Sequence, residues 1–479
     1  MKLVKTAMLG ALALTATGML AHATTYTVIR FTGSTAFRAV ACHALLNSVF
    51  DSAPGWGCNG SSGGETGLDG ANTSEFVGNI GGNPYLIKCS WSGSEFGIYA
   101  TDQGGTGVAI NFPDPANQAT PYLASSSTNN TVSIVGQTSG VTGLADGSGS
   151  TTSTSLQNGN GVNPFDVSVP DATFSDTYDA ASQFYTAGTA TYHGFTYPGS
   201  PTFVGANSGN SDGIIGVIPF EWVANNASTF TGMTSQLART LFAKGKVHEE
   251  QFFGNSTDTN YVYLLGRDND SGTRLTTVSE SGYGTANAVK QYMPYPSTVT
   301  SGYTVGNAIS SAGVTINSLQ LCPTETVDGI TLSSPQGGYS SGGSLSKALD
   351  SVWPSGSNGV TYLGASDANN AEDIGTSATF DNGAGAAKAL TYNGVAATTN
   401  NIETGLYTFW GYEHIYYLAT DANAAEIDAI ATTIAGQGDI TEANIGGISS
   451  PATPPLDVSV SLTLMQATRT SDGGTVAHN

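Results

Sequence analysis

Along the chain, short apolar runs of strand character alternate with stretches whose apolar positions recur at helical spacing, and polar segments separate them. Tyr26 to Phe31 and Tyr85 to Cys89 read as strands, and so do Gly213 to Pro219, Tyr261 to Leu265 and Gly359 to Gly364. Helices are expected over Ala36 to Phe50, Gly232 to Phe242, Arg274 to Met293, Leu345 to Trp353 and Ala419 to Gly436. Tyr392 to Ala396 carries the Asn-Gly pair of a tight hairpin, and Gly405 to Trp410 is an apolar aromatic run suited to a core. Near the end, Val458, Val460, Leu462 and Leu464 alternate as in a strand, with the last ten or so residues expected to fray.

Between these elements lie long polar stretches. Residues 52 to 84 are rich in Gly, Ser and Asn and read as loop. Residues 101 to 163 and 294 to 343 read as surface insertions, the first with a hairpin around Val132 to Val135. Strands that alternate with helices point to an α/β architecture, and 479 residues suffice for two or three cores.

Composition narrows the setting. Residues 1 to 23 have the form of a cleavable signal peptide, with Lys2 and Lys5, an apolar run from Ala7 to Leu20 and Ala21-His22-Ala23 at the cleavage point. No cysteine follows that point, so no lipid anchor is expected, and no later segment is apolar enough for membrane insertion. A periplasmic or secreted protein is the expectation. Without Lys2 and Lys5 the balance is 12 basic against 36 acidic residues, a net charge of −24, which argues against nucleic acid as a partner. Cys42, Cys58, Cys89 and Cys322 sit in an export context, and one bridge among the first three is expected. The chain has no C-x-x-C or H-E-x-x-H, its six histidines are scattered, and no nucleophile and base stand together, so neither a metal, a cofactor nor an enzyme is expected.

The chemistry concentrates in the turn after Tyr261 to Leu265, which reads G-R-D-N-D-S-G-T-R. Ser271-Gly272-Thr273 would open a helix, with free backbone N–H groups and hydroxyls, and Arg267 stands four residues before the serine. Such a turn suits an oxyanion, although an ordinary capped helix would look the same. Three further turns carry hydroxyls: Gly33-Ser34-Thr35 before the first helix, Ser92-Gly93-Ser94, and Phe174-Ser175-Asp176. Asp176 also reads as the N-cap of a helix over 177 to 185.

The spacing R-x-x-x-S-G-T and the order of these four turns resemble the PstS-like periplasmic phosphate-binding proteins, the substrate-binding proteins of phosphate ABC transporters. The resemblance covers most of residues 26 to 50, 85 to 98, 166 to 293 and 359 to 418. It implies a two-lobed periplasmic binding protein-like fold (type II), each lobe a mixed sheet flanked by helices, with the polar insertions added. Lobe 1 would span residues 24–215 plus 396–479 and lobe 2 residues 216–395. The chain would cross between them near 213–217 and 393–405.

By the same resemblance, phosphate would bind in the interlobe cleft and be passed to an ABC permease. Arg267 would grip it; Ser34, Thr35, Ser92, Ser94, Ser175, Ser271, Gly272 and Thr273 would surround it with donors, with Phe37 a looser match. Asp176 would accept the proton of hydrogen phosphate, which sulfate lacks at neutral pH. An alternative keeps the scaffold without transport: a secreted or surface structural protein whose polar insertions make the contacts.

Overall fold

The structure, a computed structural model, describes residues 26–58, 68, 70–102, 110–113, 130–131, 165–182, 191–192, 195–196, 203–205, 213–299, 307–322, 324–327, 330–333, 337–372, 386–418, 420–441, 444 and 455–478. The expected signal peptide, most of the 101–163 stretch and the hairpin expected at 132–135 lie outside them.

One mixed sheet of 14 strands runs through the molecule, flanked by helices. Its main strands are β1 (Thr27–Gly33), β2 (Gly55–Cys58), β3 (Thr73–Ile80), β4 (Asn83–Ser90), β5 (Ala172–Ser175), β6 (Ile214–Ala224), β7 (Lys246–His248), β8 (Tyr261–Leu264), β9 (Ser357–Gly364), β10 (Lys388–Tyr392) and β11 (Trp410–Leu418). The helices used below are α1 (Arg38–Ala44), α2 (Ser94–Asp102), α3 (Ser235–Lys244), α4 (Gly272–Glu280), α5 (Gly342–Leu349), α6 (Ala365–Ala371) and α7 (Ala424–Ala435). The spatial order is β7-β8-β9-β6-β11-β5-β1-β4-β3-β2, with β10 also on β6.

The topology makes two lobes of this sheet. On one side β4, β1 and β5 run parallel; on the other β8 and β9 do. Two strands join the sides. The first half of β6, Ile214 to Pro219, pairs antiparallel with β11, while Phe220 to Ala224 pairs with β9. A single strand therefore enters both lobes, and its apolar sequence I-I-G-V-I-P-F suits burial on both faces.

Several elements differ from the sequence reading. The stretch 52 to 84, read as loop, contains β2 and β3; Gly81 and Gly82, both at positive φ (57° and 81°), make the two-residue turn that folds β3 onto β4. A Gly-Gly pair between strands is a hairpin signal, masked here by the polar residues around it. The first helix begins at Arg38 and passes at Leu45 to Val49 into a π-helical turn. The helix after Ser271 ends at Glu280, where Gly282 and Gly284 take positive φ, and does not continue to Met293. Within 294 to 343 the described residues include paired strands such as Thr324–Val327 with Ile330–Ser333.

The carboxyl-terminal expectations fail in an instructive way. The alternating residues 458 to 464 make only single bridges, Val217 with Val460 and Ile440 with Ser459. The tail, expected to fray, instead straps the molecule: Arg469 is buried, pairs with Glu280 at 3.1 Å and lies over the ring of Trp410, while Asp472 accepts from the Tyr178 amide at 3.0 Å. Charged side chains with buried partners hold the tail down, a contact that hydrophobic patterning does not reveal. The cysteine expectation fails as well: Cys42, Cys58, Cys89 and Cys322 are buried thiols, not bridged. Burial pushes the Cys89 thiol up to about 12.

Candidate functional site

Because β4, β1 and β5 are parallel neighbours, the turns that follow them emerge side by side at one edge of lobe 1. Those are the turns at Ser92 to Ser94, Gly33 to Thr35 and Asp176. Phe174 anchors them, its ring packed against Phe31, Phe37 and Trp91 with centroids 5.2, 6.2 and 5.6 Å away. A fully buried Phe contributes about 1.5–3 kcal/mol. Backbone contacts complete the set: Ser34 N donates to Phe174 O at 2.9 Å and Gly93 N to Gly33 O at 2.8 Å.

Lobe 2 supplies the facing turn from one continuous segment. β8 ends at Leu264, and the chain turns through Arg267 to Asp270 into α4, whose N-cap Ser271 accepts from Arg274 N at 3.2 Å. The bland expectation of a capped helix is thus met, and it places Gly272 and Thr273 at the opening of α4 against lobe 1. Thr273 Oγ1 donates to Asp176 Oδ2 at 2.8 Å, Thr276 Oγ1 donates to Asp176 O at 3.0 Å, and Ser94 Oγ donates to Asp176 Oδ1. Gly272 lies so close to Asp176 that a side chain there would meet the carboxylate. Gly93, at φ 93°, lies as closely against Asp270 O, which also accepts from Glu95 N at 3.1 Å.

Arg267 is 2% exposed. Its guanidinium donates to Thr35 Oγ1 (3.0 Å), Tyr339 O (3.0 Å) and Ser340 O (2.8 Å). Its own carbonyl accepts from Gln291 Nε2 at 2.7 Å, which fixes the base of the loop. Among the described residues no carboxylate comes within salt-bridge distance of the guanidinium. Asp176 is buried too; desolvation pushes its carboxyl up, while the Ser94 and Thr273 hydroxyls and the charge of Arg267 pull it down.

Of the residues singled out in the sequence, the structure brings Thr35, Ser94, Asp176, Arg267, Gly272 and Thr273 together directly, with Ser34 and Ser271 beside them. Ser92 and Ser175 turn elsewhere. Ser92 Oγ meets Thr32 Oγ1 at 2.8 Å, and Ser175 Oγ donates to Thr177 O at 2.9 Å, so neither hydroxyl contacts Arg267 or Asp176. Asp176 is not a helix N-cap; the next helical turn is a short 3-10 segment, Asp179–Ala181. Phe37 is core.

The sequence reading missed three contributors. Tyr339 and Ser340 hold Arg267 through carbonyls, which no side-chain motif announces. Glu413, fully buried in β11, stands beside Ser34 and Asp176, as developed below. Its signal was an acidic residue inside the aromatic run W-G-Y-E-H-I-Y-Y.

No family model matches the chain, and no curated protein matches its sequence. Solved structures do match. A phosphate-binding protein from Stenotrophomonas maltophilia aligns over 90% of this chain and 91% of its own, at 12% identity and a TM-score of 0.36. PstS from Borrelia burgdorferi aligns over 86% and 95%, at 10% identity and 0.30. An ABC-type phosphate transport receptor from Vibrio cholerae aligns over 55% and 74%, at 13% identity and 0.29. The chain is similar to these at low identity, and what its site binds is argued from its own residues.

Proposed function

We propose that this protein is an exported solute-binding protein that captures inorganic phosphate, or a closely similar tetrahedral oxyanion, between its lobes and hands it to an ABC-type permease. One observation carries the reading: a buried guanidinium, answered only by carbonyls and a hydroxyl, faces a buried carboxylate wrapped in hydroxyl donors across the junction of two lobes. Among the described residues no carboxylate reaches salt-bridge distance of this guanidinium, though Asp367 and Asp176 feel its charge; a buried cation so placed is costly, and an anion offsets that cost. A buried carboxylate in the same cleft repels any anion that has no proton to offer it.

Hydrogen phosphate meets both conditions. It accepts from Arg267, Thr35 and the amides at the start of α4, and donates its own proton to Asp176. On binding, the Ser94 and Thr273 hydroxyls turn from Asp176 to the ligand oxygens. The lobes open and close about β6 and β11, the strands that join them. The acidic exterior does not oppose this at close range, since salt screens fields beyond about 8 Å. Among the described residues no helix is long and apolar enough to cross a membrane, in keeping with an exported receptor.

Calorimetric titration of the mature protein with phosphate and, separately, with sulfate tests the reading. Heat with phosphate alone is expected. Heat with neither would favour a structural protein built on the same scaffold, and equal heat with both would remove Asp176 from its selective role.

A further inference from the structure

Glu413 is 0% exposed, and neither of its carboxyl oxygens has a well-formed hydrogen bond, although the Ser34 hydroxyl lies close enough to act on it. Its place follows from the sheet. β5 and β11 pair antiparallel with Phe174 opposite Ile415 and Ser175 opposite His414; Asp176 follows the last paired residue of β5, Glu413 precedes that residue's partner in β11, and the two carboxyls act on each other electrostatically. Within β6 its register partner is Gly216, whose open side faces the ring of Phe37 and Ser459 Oγ. The Ser34 hydroxyl acts on the Glu413 carboxyl, pulling against the upward push of burial and of Asp176. Two carboxyls therefore flank one anion cleft, one of them without a well-formed hydrogen bond.

We propose that Glu413 is the second carboxyl of this cleft: it shares one proton with Asp176, and in its protonated form it sets the Ser34 hydroxyl to donate toward a bound anion. The inference rests on the phosphate-binding reading above. Two buried carboxylates side by side cannot both be ionised cheaply, so one keeps a proton. Asp176 has the stronger claim to the charge, since it receives the Ser94 and Thr273 hydroxyls and the field of Arg267. Glu413 keeps the proton, in line with the direction burial and the Asp176 charge push it.

The consequence for Ser34 is a matter of counting. A hydroxyl has one proton to donate and two positions at which to accept. Ser34 Oγ already accepts from Phe37 N at 3.2 Å. A protonated Glu413 donating to it fills the second position, which leaves the Ser34 proton for the cleft. An ionised Glu413 would draw that proton to itself, and the cleft would lose a donor and gain a negative charge. Anion binding and the Glu413 proton are thereby linked.

The other groups around Glu413 leave this pairing intact. Glu95 of α2 is engaged by Thr177 and Ser182, at 2.9 and 2.7 Å. His414 lies on the opposite face, stacked on Tyr416. β6 brings Gly216 and apolar neighbours, and α7 packs Ile427, Ile430 and Ile434 inward while its Glu426 and Asp428 turn to Tyr85 and Tyr417. Asp472 of the tail senses Asp176 and is itself pushed up to about 8, with Arg469 beside it. Arg267, from lobe 2, acts on Asp176.

The test compares wild type with Glu413→Gln, whose amide can donate to Ser34 but never ionises. Phosphate affinities of both are measured by calorimetry at a series of pH values from neutral into the alkaline range. The ligand's own ionisation cancels in the ratio of the two. Taken against their ratio at neutral pH, wild type should weaken relative to the variant by about tenfold per pH unit above the Glu413 pKa. Glu413→Leu, with no donor for Ser34, should bind more weakly than Gln at every pH. A ratio constant across the series would overturn the inference and leave phosphate binding standing.

Absence of phosphate binding by wild type at every pH would instead overturn the proposed function. The pair would then be judged on the unliganded protein by thermal melting. A carboxyl raised on folding adds stability at low pH that is lost as pH rises through its folded value, so wild type should lose midpoint on alkalinisation more steeply than Glu413→Gln. Parallel curves would overturn the carboxyl pair itself.

Discussion

The two sides of the cleft are built in opposite ways. Lobe 2 supplies its part from one segment, Arg267 to Thr273, in which a strand end, a turn and a helix cap follow one another within seven residues. Lobe 1 supplies its part from three turns, at 33–35, 92–94 and 176, which become neighbours only because β4, β1 and β5 lie parallel side by side. A contiguous site depends on local geometry. An assembled one depends on register, because a slip of one residue would turn each side chain to the other face.

The contrast is broken most sharply at Arg267. Arg267→Ala removes the buried cation that reaches Thr35 across the junction, and leaving an anion without it costs about 2–5 kcal/mol, so phosphate affinity should fall by two to three orders of magnitude. The fold should survive, since the lobe 1 turns lose one contact, at Thr35, and keep their backbone bonds and the packing around Phe174. Retained affinity by calorimetry would show that the assembled side alone suffices. Asp176→Asn probes that side next. It keeps the hydrogen-bonding shape but removes the negative charge, so phosphate should weaken by about 1.5–3 kcal/mol while sulfate, rejected by wild type, begins to bind. Sulfate still excluded by the variant would mean that selectivity lies elsewhere.

The same contrast explains what the sequence made legible. The Arg267 turn announces itself, because spacing within a few residues is a physical quantity that the chain displays directly. The α/β class and the buried strand at 214 to 219 were legible for a related reason: I-I-G-V-I-P is too uniformly apolar for a half-exposed strand. The hydroxyls of Ser92 and Ser175 bond within lobe 1, yet they lie two residues from Ser94 and one from Asp176, whose side chains do meet, and the sequence does not say which of two nearby hydroxyl or carboxyl groups a turn will point inward. Glu413 was missed because Asp176 is more than two hundred residues away, and only the pairing of β5 with β11 brings their strands together. The strapped tail escaped for the same cause, as Arg469 finds Glu280 across the fold.

A third prediction concerns the seam itself. Gly93 lies at φ 93° against the backbone of Asp270, so the two sides close with almost nothing between them. Gly93→Ala introduces a methyl group there and strains the backbone by about 1–3 kcal/mol. The predicted result is a protein that still folds but closes less readily, with phosphate affinity down roughly tenfold and a larger radius in small-angle scattering with ligand present. Unchanged affinity and radius would show that this contact forms independently of closure.

The smallest expected effect is the most discriminating for the assembled side. Ser92 and Ser175 carry hydroxyls in the same turns as Ser94 and Asp176, yet theirs bond within lobe 1, to Thr32 and Thr177. Losing each such bond should cost about 0.5–1.5 kcal/mol of stability, read as a lower midpoint in denaturant, because the partner hydroxyls remain buried. Phosphate affinity should not change in Ser92→Ala, Ser175→Ala or the double variant, whereas Ser94→Ala should weaken it. If Ser92→Ala or Ser175→Ala lowered affinity as much as Ser94→Ala, these turns would have to rotate on binding, and the closed arrangement would not be the liganded one. Equal stabilities with unequal affinities would locate that rotation in the turn whose variant bound more weakly.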